Sequence, residues 1–321
     1  MVAMAVTQMG KEEQLNIETI TWGNLTWINI QPPTKREIEY LVKNFSFHRL
    51  DLDDVLSRTQ RPKIDEYSDY LFVILHFQIY DKVTRVSTHS QVSVFVGENY
   101  LITLHEGELR PLVTLFKECQ INETSCKEYF SHGSGYLLYR ILDRTADAYF
   151  SILDKIRRLM EEMEDRVFDP HIETAQEVAI MRRDIITQRR ILFPMRTQVI
   201  DLESKLTRYI KKIDMGVYWG DLVDHFNKIC ESLDEIKETI EVYKDADFVL
   251  GTERLNHIMR MLTVLGTILL PFVVVSSVYG MNVILPGGLE NGSYHSFIIL
   301  LVVMAAIAVG MLYFFHCRRW I

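Results

Sequence analysis

Apolar residues crowd into two stretches near the end of the chain and recur more sparsely, at regular spacing, before them. Between Arg260 and Glu290 there is no Asp, Glu, Lys or Arg, and a second apolar run covers Phe297 to Phe315. An apolar run of about 20 residues is long enough to cross a bilayer as a helix. The pattern predicts a transmembrane hairpin over 256–321, with spans at about 260–281 and 297–316 and an external loop at 282–296. The rest divides into an α/β domain over 1–135 and long helices over 136–255.

In the first part, Thr21 to Ile30 reads as a strand or hairpin, and Thr34 with Glu37 forms a capping box for a helix over Lys35 to Phe45. A short helix is expected over Leu50 to Arg58. Val, Ile, Phe and Tyr then dominate Tyr70 to Tyr80, Gln91 to Val96 and Tyr100 to His105, and Gly97-Glu98-Asn99 is a loop of hairpin length. From Arg110 the spacing turns helical. Phe168-Asp169-Pro170-His171 breaks a helix that resumes over Thr174 to Tyr209, so those two helices should lie antiparallel, with Arg182, Arg183, Arg189 and Arg190 on exposed faces. A final helix starts near Trp219 and runs without a stop into the first span. From Asp221 to Met281 it would be on the order of 90 Å long.

The formal net charge is -8, with the acids concentrated before the first span. That disfavours nucleic acid as a partner and is compatible with cations. Cys119, Cys126, Cys230 and Cys317 show no zinc or disulfide framework. The N-terminus lacks a basic region followed by a sustained apolar core, so a cleaved signal peptide is not expected. Arg254 and Arg260 precede the first span and Arg318 and Arg319 follow the second, so both ends should face the cytoplasm. There is no P-loop and no nucleophile paired with a base, so no enzyme activity is expected. His105, Glu106 and Glu108 read as the end of a strand and a turn with solvated acids.

On the membrane-entering helix, Asn256, Met259, Leu262, Gly266, Leu270, Val273 and Ser277 recur every three or four residues. That is the seam of helices packed about a common axis. It is also the pattern of an ordinary span packed on its partner. The outer end carries Tyr279-Gly280-Met281-Asn282, and with this motif at the end of the first of two C-terminal spans the chain resembles the CorA family of divalent-cation channels. Other segments fit: Leu52-Asp53-Asp54-Val55 before Gln60-Arg61-Pro62-Lys63, Tyr136-Leu137-Leu138-Tyr139 before Asp143, and Asp221 with Asp224 and His225.

The resemblance implies an α/β/α cytoplasmic domain, a helical arm and a long pore helix, assembled as a funnel-shaped homopentamer in a bacterial or archaeal inner membrane. It implies that Gly280, Met281 and Asn282 form a selectivity ring, holding a hydrated Mg²⁺ through amide and carbonyl oxygens. Below it, Met259, Leu262 and Leu270 would narrow the pore, with Asn256 as an inner polar ring and Asp245 as a carboxylate ring deeper in. Asp54 and Asp221 of adjacent subunits would form a Mg²⁺ sensor, with Asp53 and Asp143 as a second site. Mg²⁺ is then both cargo and regulator, with Co²⁺ and Ni²⁺ as further cargo and no organic cofactor. Two departures leave the ion open. Many relatives carry M-P-E-L after the motif, where this chain has Val283-Ile284-Leu285-Pro286-Gly287-Gly288-Leu289-Glu290, and Val273 stands where many have Thr. A ZntB-like Zn²⁺ transporter with proton coupling and a non-conducting membrane scaffold are the alternatives.

Overall fold

The computed structural model describes residues 15–57, 60–81, 86–169, 171–206, 209, 215–281, 294–318 and 320. They fall into two compact units, Met1–Arg166 with Thr174–Lys244, and Val167–Glu173 with Asp245–Ile321.

The first unit is built on a six-stranded sheet of order β1-β2-β6-β5-β4-β3. Its strands are β1 (Ile17–Trp22), β2 (Leu25–Ile30), β3 (Lys63–Glu66), β4 (Tyr70–Asp81), β5 (Val86–Gly97) and β6 (Tyr100–His105). β2 and β6 pair in parallel and the other neighbours are antiparallel. Leu71 to Leu75 are all fully buried, because helices cover both faces and leave no solvated side to alternate toward. On one face, α1 (Lys35–Asn44) and α2 (Arg49–Leu56) supply Leu41, Leu52 and Val55 to a core with Ile28, Phe72, Ile74, Phe95 and Ile102. On the other, Trp27 meets Phe116 of α3 (Arg110–Ile121) edge-on at 4.8 Å and Phe130 of α4 (Glu123–Phe130) at 6.4 Å. The layers are α/β/α as expected. The Thr34–Glu37 capping box is present. β3 was not foreseen; its four residues carry no apolar alternation.

Asn29 Oδ1 accepts from Thr103 Oγ1 at 2.8 Å and lies 2.9 Å from His105 Nε2, while His105 Nδ1 accepts from the Gly107 N–H at 3.0 Å. The Gly107 donor therefore assigns the neutral tautomer with its proton on Nε2. His105 is a buried core histidine, and Glu106 and Glu108 are exposed.

Three long helices follow: α5 (Ser134–Val167), α6 (Ala175–Leu206) and α7 (Gly216–Tyr279). Tyr149 donates to Gln188 at 2.6 Å, and Arg166 makes a bidentate pair with Glu177, so α5 and α6 run antiparallel. The expectation of merely exposed arginines fails for two of the four. Arg182, Arg189 and Arg196 recur every seven residues and reach Glu241 at 2.6 Å, Asp234 at 2.5 Å and Asn227 at 2.5 Å. The partners descend by seven as the arginines ascend, so this is an antiparallel heptad ladder between α6 and α7. Arg183 and Arg190 are exposed.

In the second unit, Arg254 donates to the Ile172 carbonyl at 2.6 Å and the Asp169 carbonyl at 3.4 Å. α7 continues here with Pro271 inside it, and α8 spans Tyr294–Cys317. Both are long and apolar enough to cross a membrane.

Candidate cation sites

α2 is held by its first turn. His48 caps it through Nδ1, and Asp51, 1% exposed, accepts from the Tyr70 hydroxyl at 2.8 Å and the Tyr67 hydroxyl at 3.0 Å. The Tyr70 oxygen in turn accepts from the His48 N–H at 2.8 Å. Burial pushes the Asp51 carboxyl up, against the lowering effect of the two tyrosines. With Asp51 turned inward, Asp53 is exposed and Asp54 half-buried. Lys63 lies 2.6 Å from Asp54 and 2.5 Å from Asp65. Burial alone would lower Lys63, but its bonds to the two carboxylates hold it above its ordinary value. A cation arriving at Asp54 must therefore share it with an ammonium.

A second group lies on α5 and α7. Asp143 and Asp147 are one helical turn apart on α5, and their oxygens lie within 4.8 Å of each other and of a ring nitrogen of His225. His225 Nδ1 is 4.0 Å from Asp143 and Nε2 is 3.6 Å from Asp221. Arg140 approaches Asp143 at 3.4 Å. Burial is the main cause holding the Asp143 carboxyl above its ordinary range, and Asp147 adds to it while Arg140 and His225 oppose it. His225 Nδ1 is buried without a hydrogen-bond partner among the described residues, so the donor set has a ring nitrogen and carboxylate oxygens available to a cation.

The membrane part of α7 presents a different arrangement. Asn256, Met259, Leu262, Gly266, Leu270, Val273 and Ser277 are all exposed on the single chain, as is Asp245. Met259, Leu262, Leu270 and Val273 are each more than 60% exposed. Gly280 donates its N–H to the Ser276 carbonyl at 2.9 Å and Met281 to Val278 at 3.3 Å. The helix ends at Tyr279, and Asn282 lies outside the described residues with the loop that follows.

Of the residues expected to sense a cation, the chain brings Asp143 and Asp221 to one histidine, and keeps Asp53 and Asp54 on α2. Asp147 was missed. Its signal was the four-residue spacing from Asp143 on a helical stretch, which puts both carboxylates on one face.

A profile of CorA-like Mg²⁺ transporter proteins matches residues 22–319. The chain is 27% identical over 305 residues to a cobalt/magnesium transport protein CorA of Thermotoga maritima, covering 94% of this chain and 84% of that one. It is 23% identical over 322 residues to a cobalt/magnesium transport protein CorA of Methanocaldococcus jannaschii, covering 99% of both. The solved structure of a CorA magnesium transporter from the same archaeon superposes with a TM-score of 0.74 over 93% of this chain and 92% of that one, at 23% identity, and so shows a shared fold.

Proposed function

The chain belongs to the CorA-like Mg²⁺ transporter family, a family of divalent-cation transporters, and from that premise we propose that it is a homopentameric channel for Mg²⁺ uptake that also admits Co²⁺ and Ni²⁺. The observation that carries this reading is the α7 stripe. Its small, apolar and amide positions repeat at the spacing of a common-axis seam, and every one is exposed on the single chain. Five copies turn that stripe into a wall: an inner ring of Asn256, an apolar constriction at Met259, Leu262 and Leu270 that closes by excluding water, and an outer ring of Gly280, Met281 and Asn282. A neutral oxygen ring suits an ion that dehydrates reluctantly.

The membrane potential drives entry, since a divalent ion moving inward gains about 4.6 kcal/mol per 100 mV. Cytoplasmic Mg²⁺ closes the channel. Carboxylates at Asp54 and Asp53 of one copy and Asp221 and Asp143 of its neighbour repel until a cation bridges them. Asp147 and His225 extend the set on the α5–α7 side.

Flux into liposomes tests this. Mg²⁺ entry that follows an imposed potential and ignores a pH gradient supports it, and Asn282→Ala should abolish that entry while the oligomer persists. Zn²⁺ entry stimulated by protons would favour a ZntB-like transporter, which the changed loop and Val273 motivate. No flux of any ion would leave a scaffold.

A further inference from the structure

The buried face of the β4–β5 ribbon changes character along its length. Near Phe72, Ile74 and Phe95 it is apolar and belongs to the core. Further along, the register sets His76 opposite Gln91 and Gln78 opposite His89. Opposed residues and residues two apart share a face, so these four polar side chains form one block. His76 is 9% exposed and Gln78 8%, while Gln91 is half-buried and His89 opens to solvent. The two imidazoles stack with centroids 4.7 Å apart.

The hydrogen-bond account of the block does not balance. Gln78 uses Nε2 on Ser87 Oγ at 2.5 Å. Gln91 uses Nε2 on the Asp54 carbonyl at 3.4 Å and Ser93 Oγ at 3.3 Å. Among the described residues, Gln78 Oε1, Gln91 Oε1 and His76 Nε2 are buried with no hydrogen-bond partner. A carbonyl at Asp54 can only accept, so the Gln91 amide is oriented with its nitrogen toward α2 and its oxygen left over. Leaving buried polar atoms without partners is costly, because each has given up its bond to water. Each of the three carries a lone pair, so an electron-pair acceptor is the kind of group that the block lacks.

We propose that His76, His89, Gln78 and Gln91 form a site for a borderline divalent transition ion of the Co²⁺, Ni²⁺ or Zn²⁺ class, distinct from the carboxylate sites and selective against Mg²⁺. Imidazole nitrogen and neutral amide oxygen favour that class over a hard ion that prefers an all-oxygen octahedron. Binding lengths of about 2.0–2.1 Å to nitrogen require His89 to turn toward His76 Nε2, and His89 is the member with solvent beside it. Gln91 links the site to the Asp54 carbonyl on α2, so an ion drawn onto its oxygen acts on the helix that carries Asp53 and Asp54. This assignment does not depend on which ion crosses the membrane.

The test uses the full chain in detergent, stripped by chelator and titrated with Co²⁺ alone as the probe under excess Mg²⁺, in a His225→Asn background that removes the imidazole of the carboxylate cluster. Visible d–d absorption and the nitrogen couplings of bound Co²⁺ report imidazole ligation. The expected result is one such ion per chain, bound at least tenfold more weakly after the further change His89→Gln, with circular dichroism confirming that this exposed-site variant is folded. Absence of nitrogen-ligated Co²⁺ under excess Mg²⁺ would overturn the assignment, as would equal affinity with and without His89.

Discussion

Replacing Asp51 by alanine should loosen the helix that displays Asp53 and Asp54. The carboxylate accepts from two tyrosine hydroxyls, at 2.8 and 3.0 Å, in a site where Asp51 is 1% exposed. Hydrogen bonds to a charged group contribute about 1.5–3 kcal/mol each, so the gross loss is about 3–6 kcal/mol. Burial of the ionised carboxyl offsets part of this, as its raised pKa records. The Tyr70 oxygen keeps the His48 N–H, so only its proton is orphaned. A net loss of about 2 kcal/mol follows, or a fall of about 4–8 °C in melting temperature for a unit of this size. Asp51→Asn keeps one acceptor oxygen and should lose about half as much. Thermal melting of the full chain in detergent measures both. A cycle with Tyr67→Phe should show a coupling above about 0.5 kcal/mol, since the residues touch. Protection of the first unit from protease should also demand more Mg²⁺ in Asp51→Ala. Melting within about 1 °C of the unaltered protein, or strict additivity in the cycle, would refute the argument that Asp51 pins α2.

Asp221→Lys reverses a charge 3.6 Å from His225, and should raise the Mg²⁺ concentration for half-maximal protease protection about tenfold, or ~1.4 kcal/mol; an unchanged midpoint removes Asp221 from the sensor. Gly266→Ala introduces a methyl that meets nothing within 4 Å on the single chain, and alanine favours a helix by about 1 kcal/mol. Helicity by circular dichroism should therefore hold while flux falls severalfold, and normal flux would take Gly266 out of an intersubunit seam. Burial holds His105 at about 4 against an ordinary 6.5, so the fold takes up that proton less readily than the unfolded chain. Its contribution is fully present above about pH 6.5 and declines as pH falls toward 4, by about 3 kcal/mol in all. His105→Gln should flatten melting temperature against pH in that window, and a slope identical to the parent's would contradict the assignment.

Much of the architecture was legible because it is written in local periodicity. The Thr34 cap, the β5–β6 hairpin and the long helix into the membrane segment each rest on neighbours in sequence. The boundaries of α7 moved by only a few residues, from Asp221–Met281 to Gly216–Tyr279. β3 escaped notice because its four residues are mostly polar and carry no strand pattern of their own, although its antiparallel pairing with β4, Lys63 opposite Ile74 through Glu66 opposite Leu71, is local. The arginines of α6 looked solvated because their partners stand on α7, more than 30 residues away, and only the antiparallel register brings the two sets of heptads together.

The candidate sites divide along the same line. Spacing along single segments was enough to establish that the chain carries two apolar spans, that a stripe recurring every three or four residues runs down the first, and which carboxylates lie in family-like motifs, since each of these is a property of one helix or one short stretch. Tertiary structure alone decided that Lys63 occupies Asp54, that Asp51 turns inward to two tyrosines, that His225 gathers Asp143, Asp147 and Asp221, and that four polar side chains of β4 and β5 share a buried face. Those juxtapositions depend on which elements pack against one another. Spacing along the chain carries no distance across it.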